Sequence, residues 1–188
     1  MGSLAKSDVA AQVAGQQDAQ QYLTFMLGGE TFAVGILRIK EIIEYGDMTT
    51  VPTMPNFIRG VINLRGAVVP VVDLSSRFGG HSGDVTRRTC IVIVEVTHED
   101  SQQVMGIMVD AVNEVLEIPQ EQIEPAPAFG ARIRADFIAG MGKVDGHFVI
   151  ILDANRVLSL DEIAELTEAD TVLMPGPPAA AAEASVAA

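Results

Sequence analysis

The sequence is short of positive charge: 12 lysines and arginines stand against 25 aspartates and glutamates, a formal charge of −13. Such an excess repels phosphate backbones and anionic lipid, so neither nucleic acid nor a membrane surface is expected as a partner. It suits a basic protein partner or plain solubility equally well. Cysteine is nearly absent too. Cys90 has no second thiol to pair with, and its setting in TCIVIVEV is that of a small hydrophobe in a strand. No uninterrupted run of apolar residues reaches the length that crosses a bilayer. The first residues, with Lys6, Asp8 and several glutamines, lack the apolar stretch of a secretory signal. Lys6 also stands where a myristoylation start wants Ser or Thr. These features together point to a reducing cytoplasm and no direct membrane insertion.

Chemistry-bearing patterns are missing as well. His81, His98 and His147 lie far apart with no metal-ligand spacing, and read as solvated turn residues. No serine sits in a Gly-x-Ser-x-Gly elbow with a histidine and a carboxylate to serve it. Gly28-Gly29 is followed by no Lys-Ser or Lys-Thr, so it reads as a chain reversal and not a phosphate cradle. No catalytic residue, metal or cofactor is therefore expected.

What the sequence does contain is an echo. Phe57 to Leu74, FIRGVINLRGAVVPVVDL, is answered eighty residues further on by Phe137 to Ala154, FIAGMGKVDGHFVIILDA. Phe57, Ile58, Gly60, Gly66, Val69 and Asp73 match Phe137, Ile138, Gly140, Gly146, Val149 and Asp153 in register. Each copy has a Gly-centred turn between two apolar runs and reads as a β-hairpin entered through a short turn. Ile39 to Glu44 (IKEIIE) is echoed in turn by Val112 to Glu117 (VNEVLE). Two matches in the same order indicate a duplicated β unit.

Around that repeat the chain divides simply. Residues 1–18 are small, polar and aperiodic, and are expected to be mobile. A domain is expected over 19–167, followed by a disordered Ala/Pro-rich tail over 168–188. Tyr22–Leu27 and Thr31–Ile36 form a hairpin on Gly28-Gly29, and Leu37–Tyr45 and Val109–Ile118 read as bent strands. Pro70 suggests an edge or a bulge, because it cannot donate to a ladder. Asp73 and Asp153, each at the end of a hairpin strand, are expected to cap or turn the chain, with a short helix over Ser75–Phe78. Residues 79–86 form a flexible loop. The strand over Arg88–Val96 leads through a polar turn, Thr97–Gln103, longer than its Gly28-Gly29 counterpart, into Val104–Val109. Prolines 119, 125 and 127 make Ile118–Arg132 a connection, with one helical turn over Gln120–Ile123. Asn155–Leu166 suits a short amphipathic helix, broken near Ser159-Leu160-Asp161.

The copies differ in charge at the hairpin tip, where Arg65 stands in the first and Asp145 in the second, while Glu41 and Glu114 recur. Glu41 and Arg65 are either two solvated side chains or a charged pair on a binding surface among Ile39, Ile42 and Val61.

From Gln21 to Leu166 the chain resembles the CheW family of chemotaxis coupling proteins. The most specific blocks are PNFIRG running into GVINLRGAVVPVVDL, over Pro55–Leu74, and GIMVDAVNEVLEIPQEQIEPAPAF, over Gly106–Phe129. The resemblance implies a mainly β fold: two intertwined five-stranded SH3-like β-barrels related by a pseudo-twofold. Short helices, one of them near the C-terminus, complete it. It also implies a non-catalytic cytoplasmic adapter, recruited to membrane-associated receptor arrays. There it would couple the cytoplasmic tips of chemoreceptors to the regulatory domain of the histidine kinase CheA. Receptor tips are helical hairpins, so a helix laid in a groove between the barrels is the implied contact. On matching positions that groove falls to Ile39, Glu41, Gly60, Arg65, Val112 and Val115. Gly60 would allow close backbone approach, and Glu41 with Arg65 would orient the partner. Glu124 and Phe129, in a loop, fall where the family makes its kinase and array contact, although some relatives carry a basic residue in place of Glu124. The alternative is the same mechanics in a non-flagellar pathway such as twitching motility. A small-molecule-binding β-barrel or an enzyme is the alternative of another class.

Overall fold

The computed structural model describes residues 19–127, 133–159 and 161. The expectations for 1–18 and 168–188 fall outside them. β1 (Ala19–Leu27) and β2 (Glu30–Gly35) pair antiparallel on Gly28 and Gly29, whose φ angles are 57° and 83°. Left-handed turn residues match the right-handed twist of paired strands, which is why two glycines suffice here. Ile36–Arg38 is a 3-10 turn, so β3 begins at Ile39 and runs to Glu44, later than the expected strand start at Leu37.

β4 (Ile58–Leu64) and β5 (Ala67–Asp73) form the first long hairpin, and helix α1 (Leu74–Arg77) follows. β6 (Cys90–His98) and β7 (Ser101–Val109) form the next. Its turn is only Glu99-Asp100, at φ 41° and 62°, where a longer loop over Thr97–Gln103 was expected. Both acids tolerate the left-handed region, and the ladder then runs on as far as His98 opposite Ser101. His98 consequently ends a strand.

β8 (Ala111–Pro119) leads through a 3-10 turn at Gln120–Gln122 into the two-residue β9 (Ile123–Glu124). After a further turn at Ala135–Phe137 come β10 (Ile138–Val144), β11 (His147–Leu152) and helix α2 (Ala154–Val157). The expected helix over Asn155–Leu166 is thus four residues followed by a break at Leu158 and Ser159, with Asp161 helical again. Leu160 and residues beyond 161 are outside the described set.

The strands make two sheets: six in the order β8-β1-β2-β11-β10-β9, and five in the order β3-β6-β7-β5-β4. The chain's first hairpin therefore joins the sheet built otherwise from its last four strands, through a parallel contact of β2 with β11. β5 is interior, beside β4 and β7, but its parallel ladder with β7 starts at Val71, so Pro70 sits just outside it and withholds no bond there.

The duplication is exact in its pairing. Ile58 opposes Val72 and Gly60 opposes Val71; Ile138 opposes Leu152 and Gly140 opposes Ile151, with the same register shift in each. The Asp73 amide donates to the Phe57 carbonyl at 2.7 Å, and the Asp153 amide to the Phe137 carbonyl at 2.9 Å. Each aspartate then caps a helix: Asp73 accepts from the amides of Ser75 and Ser76, Asp153 from those of Asn155 and Arg156. Ser82 donates to Asp73 and accepts from Arg59 Nη1 at 2.8 Å, which ties the 79–86 loop back onto the first hairpin.

Apolar side chains collect in three places. Ile62, Val69, Val71, Ile91, Ile93 and Met108 fill the inside of the five-stranded sheet, and Tyr22, Ala33, Ile118, Val149 and Ile151 the inside of the other. A larger cluster, with Leu23, Phe25, Phe57, Val92, Val94 and Phe137 among its members, draws on both sheets and cements them.

Each sheet also has end strands that follow one another in the chain. β8 lies on one edge and β9 pairs with Met141 and Gly142 on the other. β3 lies on one edge of the second sheet, and Thr49 soon after it exchanges backbone bonds of 3.0 and 2.8 Å with Val61 on the opposite edge strand. This crossing needs glycine beneath it. A Cβ on Gly60 would lie 2.5 Å from the Thr49 carbonyl oxygen; one on Gly140 would lie 2.5 Å from Ile123 Cγ2. Gly60→Ala and Gly140→Ala are each expected to lose about 1–3 kcal/mol in urea unfolding, as overpacked sites do. Gly35→Ala, which meets open space, should stay within about 0.5 kcal/mol. Equal losses at all three positions would mean that the crossing is not what these glycines serve.

Candidate functional site

β3 and β8 carry apolar residues three apart, a spacing that a regular strand would split between its two faces. Both strands are irregular. Ile39 opposes Val94 and Glu41 opposes Ile93, which leaves Lys40 as an extra residue; Ile42 then opposes Val92. Directly paired residues share a face, so Ile39 and Ile42 both lie on the side of Val92 and Val94, in the cluster between the sheets. Glu41 and Ile43 turn the other way, toward Ile91 and Ile93.

β8 repeats the device. Val112 opposes Phe25 and Val115 opposes Leu23, both again in the inter-sheet cluster. Between them the Thr24 hydroxyl donates to the Glu114 carbonyl at 2.8 Å and accepts from its amide at 3.3 Å, so a side chain completes the ladder across the irregularity. Leu116 returns to the inner face opposite Tyr22, whose hydroxyl burial pushes above its ordinary range.

Of the residues expected in a receptor groove, Ile39, Val112 and Val115 thus lie on the side of their strands that faces the inter-sheet cluster. Ile39 and Val112 pack into the cluster, while Val115 is 45% exposed. Ile42 lies on that same side at 43% exposure; the sequence grouped it around the Glu41–Arg65 pair, while the resemblance did not carry it to the groove. Its signal was available in the three-residue spacing of Ile39 and Ile42, which resembles a helical face until a bulge is admitted.

Glu41 and Arg65 do meet, Arg65 Nη2 donating to Glu41 Oε2 at 3.1 Å. Their surroundings differ from those expected. The pair borders a cleft of about 280 Å³ with Lys40, Leu64, Ala67, Val69 and Val104, on the opposite face of β3 from Ile39 and Ile42. Gly60 is buried, and the room it leaves is taken by Met48 and Thr49 of its own chain, so it shapes β4 from within. Glu124 lies in β9 opposite Met141, not in a loop, and Phe129 is outside the described residues. Among the described residues no three of His, Cys, Asp and Glu come together where a metal could be held. No helix among them is long and apolar enough to cross a membrane.

Two equivalent β modules, each turning a line of apolar residues toward the cluster between them, suit a protein that works by contact. Comparison with known proteins agrees: the family model described as a CheW-like domain matches residues 21–162. The chemotaxis protein CheW of Klebsiella aerogenes is 34% identical over 154 residues, 82% of this chain and 90% of that one. Protein FrzA of Myxococcus xanthus is 30% identical over 128 residues, 68% of this chain and 77% of that one. The crystal structure of the scaffolding protein TtCheW from Thermoanaerobacter tengcongensis superposes with a TM-score of 0.69 at 33% identity, covering 76% of this chain and 90% of that one. The chain belongs to the CheW family and is a chemotaxis adapter.

The Arg65 side chain is 79% exposed and that of Glu41 27%, so their attraction is largely screened. Glu41→Gln is expected to change unfolding free energy by less than about 1 kcal/mol, and by less still in high salt. A larger, salt-insensitive loss would make the pair part of the fold and not of a surface.

Proposed function

We propose that this adapter joins the cytoplasmic tips of chemoreceptors to the regulatory domain of the histidine kinase CheA, by contact alone and without turnover of any substrate. It works in the cytoplasm, at arrays of membrane-bound receptors. The observation that carries this reading is the pair of apolar lines, Ile39–Ile42 and Val112–Val115, each turned to the side of its strand that faces the cluster between the modules. A helical hairpin is an apt occupant, because an amphipathic helix offers apolar anchors at matching intervals and gains most by filling a groove with two walls. Gly60 takes an indirect part, letting Thr49 close over β4 so that the chain leaving β3 keeps its course. Arg65, beside Glu41 on the other side of β3, adds a cation to the contact.

The two modules are read as SH3-like barrels within one domain over 19–167. In support, each sheet begins and ends in consecutive pieces of chain, as a sheet curled into a barrel does. The contact that orders kinase and adapter within the array falls to the region of Glu124 and Phe129. An aromatic there would anchor an interface.

Ile42→Asp and Val115→Asp, made singly in the full chain, should each weaken binding of a receptor-tip fragment about tenfold or more, since a buried, unpaired carboxylate would replace an anchor. Their thermal midpoints should stay within about 2 °C of the parent, as both positions face water in the free protein. Arg65→Glu should lower receptor capture by placing two acids side by side. Unchanged affinity in all three would remove this face as the receptor site. Phe129→Ser should keep one-to-one kinase binding and reduce array order; loss of all kinase binding would assign the kinase to this position itself.

A further inference from the structure

One arginine stands where the two modules meet. The guanidinium carbon of Arg77, from α1, lies 4.7 Å from the ring centroid of Phe57 and 4.7 Å from that of Phe137. Its Nε donates to the Val157 carbonyl at 3.0 Å. Phe57 and Phe137 are the same position in the two copies, eighty residues apart, and Val157 stands at that same interval from Arg77. Arg77 therefore touches its own counterpart. A residue can meet its equivalent only on the axis that relates two copies, and an axis has room for one such side chain. The second copy accordingly carries a buried valine there.

We propose that Arg77 fixes the angle between the two modules, and with it the spacing of the apolar lines on β3 and β8. Apolar packing between modules sets a distance but is nearly indifferent to small rotations, because dispersion and water exclusion carry little directionality. A guanidinium is different. It is flat, offers a face to an aromatic ring on either side, and still donates in its own plane, so three contacts from two modules fix its orientation. Lysine keeps the charge and loses the plane. Phe78, next in the chain, extends the hold, stacking at 5.8 Å on Phe32 and standing 6.0 Å from Phe137. Two other directional contacts between segments, Thr97 amide to Asn155 at 3.1 Å and Gly28 amide to Asp110 at 2.8 Å, lie at the exposed rim. There water competes for them.

The angular role stands by itself; its effect on partner binding rests on the apolar lines of β3 and β8 being the receptor site. Val68 and Phe148 occupy one position in the two hairpins, one in each sheet, and are 72% and 53% exposed. Spin labels on Val68→Cys and Phe148→Cys, in the full chain with Cys90→Ala, report the distance between modules by double electron–electron resonance. In Arg77→Met the distance distribution should broaden at least about twofold. Arg156→Met, an exposed arginine on α2, should leave it unchanged. Affinity for a receptor-tip fragment should fall about tenfold, as it does when the competent arrangement drops to about a tenth of the population. Loss of stability alone would not broaden a distribution recorded well below the unfolding transition. An unchanged width in Arg77→Met overturns the proposal; should that variant not fold, an unchanged width in Arg77→Lys does so. Broadening with affinity intact leaves the angular role in place and instead removes those apolar lines as the receptor site.

Discussion

Everything in this fold hangs on two places where one backbone crosses another too closely for any side chain. At Gly60 the chain leaving β3 passes over β4, and at Gly140 the chain leaving β8 passes over β10. A hydrogen atom is all that fits. That crossing lets a single continuous segment serve both edges of its sheet, which leaves little unpaired edge open to other chains. The same two segments also carry register shifts, in β3 and in β8. Those shifts turn residues three apart onto one face. The side of β3 and β8 that carries these apolar lines thus depends on where each strand is bulged.

The duplication explains why so much could be read without coordinates. Features fixed by local chemistry were legible: the Gly28-Gly29 reversal, the hairpins ending in Asp73 and Asp153, and the capping by both aspartates. Glu99-Asp100 was not, because acids in left-handed turns carry no glycine to announce them. The side to which Glu41 points was also hidden. A bulge moves one residue out of register, and composition says nothing of where it falls. Close approach was legible at Gly60, but not that Thr49 and Met48 of its own chain take the room, since a sequence does not say which backbone or side chain comes near. Arg77 gave no signal at all. Its meaning lies in the contact with Val157, and only the spatial relation of the copies makes that position special.

The two modules have kept their frame and diverged in charge. Ile42 and Val115 hold one structural position with nearly equal exposure, so the apolar part of the face is preserved on both sides. The tips differ: Arg65 pairs with Glu41, whereas Asp145 and Glu114 offer only negative charge. Apolar area supplies affinity with little selectivity, and charge at the margin determines which partner, in which direction, is accepted. A symmetric pair of modules would accept a helix equally well in either sense. This pair does not present itself symmetrically.

The sheet exchange also governs the order in which a nascent chain can fold. β1 and β2 leave the ribosome first, yet four of the strands they belong with, β8 to β11, are among the last. The five-stranded sheet, contained between Ile39 and Val109, can complete itself while synthesis continues. The opening hairpin must meanwhile wait, apolar and without most of its neighbours, for about a hundred residues to be made. Its exposure to aggregation during that interval, and any need for a chaperone, is written into the connectivity more than into the final structure.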